Sequence, residues 1–313
     1  MTSSDSEGRG RVCVTGGTGF MASWIIKRLL HDGYSVNTTI REGKRDLSFL
    51  TNLPGASQRL QIFHADLNNP ESFKAAIEGC FGVFHTATPI DFEGKESEEV
   101  VTKRCVEGAI GMLKECVKSK TVKRVVYTSS ATAVYHNGRN DDVMDETFWS
   151  DVEHLRSAKP FAWSYAISKT LAEKAVFEFG HQNGLQVVSV IPSYVAGPFI
   201  CVKEIYSMVR RLHMVHVDDV ARAQIFLLHH PNPKGRYNCS PLIVTNEDIS
   251  QLLSANYPNQ FPIPTQDSLK EIKGDNLPHL TSKKLMDAGF EFKYGLQQIF
   301  DDAIQCCKEK GYL

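Results

Sequence analysis

Two residues four apart set out the chemistry this chain can do: Tyr165 and Lys169, in the stretch SYAISKTLAEKA. On a helix that spacing places both side chains on one face, with the ammonium in reach of the phenol. A tyrosine hydroxyl ordinarily ionises near pH ~10, and a neighbouring cation favours the phenolate, so such a pair makes a usable acid or base. A Y-x-x-x-K spacing arises by chance on the order of once in a chain of this composition, so its weight comes from a partner. Ser129 and Ser130 end the apolar run RVVYTSS. A hydroxyl there can hold a developing oxyanion while the phenol delivers a proton. The plain alternative for either serine is a helix cap or a turn.

Proton delivery needs something to react with, and the stretch VCVTGGTGFMASWIIKRLL supplies a place for it. A strand ending at Thr15, then Gly16, Gly17, Thr18 and Gly19, then a helix, lets backbone approach a pyrophosphate and points the first helical amides, at Phe20 and Met21, toward it. Ala22 occupies the third glycine position, which serves packing of helix on strand and tolerates alanine. At the end of the next strand the chain reads NTTIR, with Lys44 and Arg45 close behind Arg41. A guanidinium there suits the extra phosphate of NADP, whereas Glu42, one residue along, would favour NAD, and a solvated turn is the bland reading of REGKR. Asp66, with Leu67 beside it, can accept from an adenine amino group or cap a helix.

These groups need elements to carry them. RVCVT reads as a strand, FMASWIIKRLLHDG as a helix stopped by Gly33, and YSVNTTI as a second strand. The alternation continues with a helix at 45–52, a strand at 60–64, a helix at 71–78, a strand at 83–86, a long helix at 98–118, the strand VKRVVYTSS, a helix at 164–183 and the strand LQVVSVI, which ends at Pro192. That rhythm predicts an α/β fold: a doubly wound parallel sheet of Rossmann type over 10–192, covered on both faces. After it the rhythm breaks, predicting a smaller α/β substrate lobe over 193–313, some of whose helices pack back on the sheet.

With 313 residues, 42% of them hydrophobic, the chain can bury a real core, and a formal net charge of −1 gives no bulk field to draw nucleic acid or an anionic membrane. Eight cysteines form no CxxC pair, no apolar segment follows the polar start, and no run is long enough to span a membrane. The expectation is a reduced cytoplasmic protein with small-molecule partners and no metal. In HVDDVARA, His216, Asp218 and Asp219 read as a helix start with a capping aspartate.

Taken together, these residues resemble the extended short-chain dehydrogenase/reductase family, and within it the dihydroflavonol reductase-like branch. GRVCVTGGTGF, SVNTTIR, LTNLPGAS, KTVKRVVYTSS, SKTLAEKAV, HMVHVDDVARA, RYNCSP and DDAIQCCKEKGYL carry the likeness across almost the whole chain. The resemblance implies that Ser130 rather than Ser129 is catalytic, that Tyr165 gives the proton, and that Lys169 binds the nicotinamide ribose while lowering the tyrosine pKa. It implies NADP(H), with Arg41 on the 2′-phosphate. It also implies that Thr86, Ala87 and Thr88 of HTATP lie along the cofactor, and that Pro192 and Ser193 stand beside the nicotinamide. The implied reaction is reduction of a flavonoid or isoflavonoid ketone to the alcohol, by a chain whose oligomeric state is open, with a monomer favoured. Tyr135 matches a position that touches substrate in relatives.

A flat polyphenol wants an apolar slot, for which Phe161, Trp163, Phe199 and Tyr206 are candidates, each equally readable as core. Relatives carry roughly a dozen more residues between Pro198 and His216, a length typical of a functional loop. Two rival readings follow: a dinucleotide-binding protein whose shortened lobe impairs catalysis, and a nucleotide-sugar epimerase or dehydratase.

Overall fold

The computed structural model describes residues 8–43, 46–91, 95–139, 141–199, 211–258, 260–261 and 277–313. In chain order the strands are β1 (Arg11–Val14), β2 (Ser35–Ile40), β3 (Leu60–His64), β4 (Gly82–His85), β5 (Arg124–Thr128), β6 (Val143–Met144), β7 (Gln186–Pro192), β8 (Tyr194–Ala196), β9 (Arg211–His216), β10 (Gly235–Cys239), β11 (Leu242–Thr245) and β12 (His279–Leu280). The helices are α1 (Phe20–His31), α2 (Ser48–Thr51), α3 (Ala56–Arg59), α4 (Lys74–Ile77), α5 (Glu98–Ser119), α6 (Val152–Ala158), α7 (Trp163–Gln182), α8 (Val217–His229), α9 (Asn246–Asn256), α10 (Lys283–Asp287) and α11 (Leu296–Glu309).

The main sheet runs β3-β2-β1-β4-β5-β7-β10, every pair parallel. Chain order reverses between β1 and β4, and ligands of open α/β sheets bind at the carboxyl edge beside such a reversal. Both faces are covered, as continuous apolar strands require. Val12 and Val14 of β1 join the core beneath α1 and α8, whereas Cys13 between them joins the core beneath α5 and α7.

Local chemistry explains the helices that frame the site. In α1 the apolar residues Ala22, Ile25, Ile26, Leu29 and Leu30 fall on one buried stripe, and Gly33 ends it at φ +88°. The Ser97 hydroxyl caps α5 by accepting from the Val100 amide at 3.4 Å, and Glu98 and Glu99 favour its positive end.

Several elements depart from the sequence reading. The helix expected at 45–52 is only the single turn α2, set by the Asp46 carboxylate accepting from the Ser48 amide at 2.9 Å. The helix expected at 71–78 begins as a 3-10 turn, Pro70–Phe73, before α4. From the segment after Pro192, β10 joins the main sheet with Tyr237 opposite Val190, while β11, β9 and β8 form a separate three-stranded sheet.

The capping aspartate expected in HVDDVARA is not found: neither Asp218 nor Asp219 caps α8, and His216 does so instead, its Nδ1 accepting from the Asp218 amide at 3.0 Å. Asp218 instead accepts from Trp24 Nε1 at 2.9 Å, Arg28 at 2.6 and 2.5 Å, and the Tyr294 hydroxyl at 3.0 Å. Asp219 accepts from the amides of Lys293 and Tyr294 at 3.1 and 3.2 Å. A forked, charge-assisted pair is worth more than one cap bond, so a buried carboxylate that can reach a guanidinium ties elements together instead.

Candidate active site

The glycine turn is tight enough that side chains would not fit. Gly16 stands at φ +74°, and a Cβ there would lie 3.2 Å from Ala87; at Gly17 it would lie 2.2 Å from Thr38 Oγ1. The Gly16 amide donates to Thr39 Oγ1 at 3.2 Å and the Gly17 amide to the Thr39 carbonyl at 2.8 Å, seating the turn on β2. Gly19 opens α1, whose first turn holds no acidic residue. Helix geometry leaves the amides of Phe20 and Met21 without a helical acceptor, so the cradle is electropositive and fits a pyrophosphate. Ala22 is buried in the core behind it, the packing role its position called for.

Behind the turn lies a buried contact absent from the sequence reading. Thr15 Oγ1 accepts from the amides of Thr86 and Ala87 at 3.1 Å each and lies 3.0 Å from His85 Nδ1. The Thr86 hydroxyl donates back to the Thr15 carbonyl. Burial, then the charge of Lys169, pushes His85 down to about 3, so its ring is neutral and can accept the Thr15 hydroxyl proton. These bonds lace the ends of β1 and β4 together where the segment HTATP begins.

Tyr165 and Lys169 share one face of α7, as their spacing predicts. Ser130 precedes a 3-10 turn, Ala131–Ala133, and its Oγ accepts from the Thr132 hydroxyl at 3.0 Å. The ammonium, however, is tied to β5: Nζ donates to the Thr128 carbonyl at 2.6 Å and lies 3.4 Å from the Tyr127 hydroxyl. The expected lowering of the tyrosine pKa is absent. Burial pushes Tyr165 up to about 12, opposed by its hydrogen bond with Ser130, and burial pushes Lys169 down to about 8. Desolvation penalises each charged form, and neither group is among the causes that shift the other.

Gly16, Gly19, Ser130, Tyr165 and Lys169 all open onto one cavity of about 1330 Å³ along the carboxyl edge of the main sheet. Gly16, Gly19, Phe20 and Met21 line it beyond β1, and Arg41 beyond β2. Asp66 and Leu67 line it beyond β3, then Thr86, Ala87 and Thr88 beyond β4, and Ser130 beyond β5. Tyr165 and Lys169 of α7 complete the wall, with Pro192 and Ser193 at the end of β7. Lys44, Arg45 and Tyr206 lie outside the described residues. Glu42, the rival to Arg41, does not line the cavity. Asp66 caps no helix; its Oδ1 accepts from the Asn68 amide at 2.7 Å in a local turn. The Ser193 hydroxyl is buried with no hydrogen-bond partner among the described residues.

Of the aromatic candidates, Phe161, Phe199 and Tyr135 line the cavity, whereas Trp163 packs with Leu155 and Leu171 beside α6. Sequence reasoning missed Leu212 and His213 of β9, which reach the cavity through the β8–β9 pairing, with Tyr194 opposite Met214. Such a pairing leaves no local signal. The expected polar turn at Arg41 and the strand-end threonine Thr15 did carry signals, the second of them unread.

Comparison with known proteins agrees with this geometry. Residues 13–221 match the 3-beta hydroxysteroid dehydrogenase/isomerase family. Vestitone reductase of Medicago sativa is 64% identical over 326 aligned positions, covering 98% of this chain and 100% of that protein. The crystal structure of vestitone reductase from alfalfa superposes with a TM-score of 0.90 at 62% identity, covering 97% of this chain and 100% of that one. Yeast methylglyoxal/isovaleraldehyde reductase Gre2, complexed with NADPH, superposes with a TM-score of 0.81 at 25% identity, over 97% and 100% of the two chains. The chain therefore belongs to the 3-beta hydroxysteroid dehydrogenase/isomerase family, among the extended short-chain dehydrogenases/reductases that its motifs resemble.

Proposed function

We propose that this protein is an NADPH-dependent reductase that converts the ketone of an isoflavanone, or a closely related flavonoid, to the alcohol, as the name of its 64%-identical relative suggests. The observation that carries the reading is the meeting of Ser130, Tyr165 and Lys169 with the glycine cradle on one cavity. NADPH, when bound, supplies the hydride. The cradle of Gly16, Gly19, Phe20 and Met21 would hold its pyrophosphate and Arg41 its 2′-phosphate. Asp66 and Leu67 would face the adenine, Thr86, Ala87 and Thr88 would lie along the middle, and Pro192 and Ser193 would flank the nicotinamide.

The chain's own residues do the rest. Tyr165, pushed up to about 12, is protonated at neutral pH and donates to the ketone oxygen as negative charge builds there. Ser130 holds the same oxygen by a hydrogen bond. Lys169 brings positive charge into the cavity, offsetting the phenolate that transfer leaves, and would also hold the ribose. Phe161, Phe199 and Tyr135 supply apolar wall for an aromatic ketone. A monomer working in the cytoplasm belongs to the same proposal: the described cysteines are all free thiols, most of them buried, which suits a reducing compartment. Among the described residues no helix is long and apolar enough to cross a membrane.

The test is to follow NADPH consumption by the purified protein with a panel of 2′-hydroxyisoflavanones and flavanones, beside Tyr165→Phe. Turnover that vanishes in the variant supports the reading; binding of NADPH without consumption across the panel sinks it.

A further inference from the structure

Beneath the site lies a carboxylate that the chemistry above does not use. Glu173 stands two turns along α7 from Tyr165 and one from Lys169, fully buried and outside the cavity lining. Its Oε2 accepts from the Ser129 hydroxyl at 2.6 Å and its Oε1 from the Ser189 hydroxyl at 2.5 Å. Arg236 of β10 closes on both oxygens at 3.1 Å each. The same guanidinium donates to the carbonyls of Ala133, Glu146 and Phe148 at 3.3, 3.1 and 2.5 Å, and lies 3.5 Å from the centre of the Trp149 ring.

These bonds join three parts whose mutual register decides proton transfer. The helix α7 carries Tyr165 and Lys169. The short loop 129–133 carries Ser130, and it is gripped at Ser129 by Glu173 and at Ala133 by Arg236. The strand β7, which ends at Pro192, is held through Ser189. A buried ion pair is a poor route to stability, because apolar residues of similar volume do as well or better. Its forked geometry fixes direction and spacing instead.

We propose that Glu173 is a positioning residue for the reaction, holding the Ser130 loop at its working distance from Tyr165 through Ser129, with Arg236 as its fixed counterion. The proposal rests on the ketone-reductase reading of the same site. It also bears on Lys169: burial lowers that ammonium's pKa, and the charges of Cys105 and Glu173 oppose the lowering.

The experiment compares Ser129→Ala and Glu173→Gln with the parent protein in kcat, KM, pH profile and NADPH affinity read by fluorescence. Ser129→Ala leaves the ion pair whole, so it should fold, with kcat about tenfold lower and NADPH affinity within about twofold, as for a catalytic group misplaced by a fraction of an ångström. Glu173→Gln should cost about a hundredfold in kcat and move the alkaline loss of activity to lower pH, since Lys169 loses a negative neighbour. If Glu173→Gln fails to fold, Ser129→Ala carries the test alone. A Ser129→Ala protein with parental kcat overturns the proposal, as does a folded Glu173→Gln protein that is less heat-stable but keeps the parental kcat and pH profile. Isoflavanone turnover by the parent tests the reductase reading. The brace is tested by the ratio of variant to parent on any ketone the parent reduces, and by hydrogen exchange at the amides of Thr132, Ala133 and Val134, expected to quicken in Ser129→Ala.

Discussion

The two ends of the cavity are built differently. At the dinucleotide end the working surface is mostly backbone: glycine amides, a helix N-terminus and strand ends laced by Thr15 and Thr39. At the substrate end it is side chains, Phe161, Phe199, Tyr135 and His213, contributed by segments far apart in sequence. A backbone surface depends on a few conformations, and its row of amide donors suits a phosphate ester. A side-chain surface can be rebuilt without disturbing the fold. On the proposed reading, change should therefore cost most at the cofactor end, and the choice of ketone should be made at the substrate end.

Mutations that separate the two ends test this contrast. The largest effect belongs to the group between them: Tyr165→Phe should lower kcat by about a thousandfold while NADPH affinity, followed by fluorescence quenching, stays near parental. Gly16→Ala comes next, because it forces an L-residue to φ +74° and pushes a Cβ against Ala87; NADPH binding should weaken at least tenfold, with a loss of about 1–2 kcal/mol in stability by chemical denaturation. Arg41→Ala should raise KM for NADPH about tenfold and leave KM for NADH almost unchanged. Equal effects on the two would remove Arg41 from its role. The pH profile should show activity falling as pH rises past about 8, where Lys169 loses its proton, with no matching loss from Tyr165, which holds its proton to about 12. The smallest effect is expected at the helix entry. Ala162 sits at φ +59° just before α7, so Ala162→Gly should stabilise the fold by about 0.5–1 kcal/mol in a thermal melt while leaving KM for NADPH unchanged.

The same contrast explains what could be read from the sequence. Alternating strands and helices, the glycine turn and the Tyr165–Lys169 spacing are local signals, and the sheet, the cradle and the shared face of α7 followed them. The helix expected at 71–78 is met by the helical span 70–77, whereas the one expected at 45–52 shrinks to 48–51, where the Asp46 carboxylate holds the Ser48 amide and weak helical spacing does not extend the turn. The state of the acid was misjudged for a different reason. Spacing shows which groups are near each other, but burial decides their ionisation, and no spacing reveals that Lys169 is tied to Thr128. HVDDVARA reads locally as a helix start with a capping aspartate because the partners of Asp218, Trp24 and Arg28 on one side and Tyr294 on the other, lie 194, 190 and 76 residues away.

That last arrangement bears on how the molecule is made. The helix behind the phosphate cradle emerges early in synthesis, yet the carboxylate that fastens Arg28 and Trp24 arrives some 190 residues later, and the hydroxyl of Tyr294 that completes its shell is nearer still to the C-terminus. A nascent chain halted before residue 218 would carry a glycine turn on a helix whose Arg28 and Trp24 have no carboxylate to hold them. A truncated N-terminal half should therefore be a poor NADPH trap on its own, however complete its motif looks on paper.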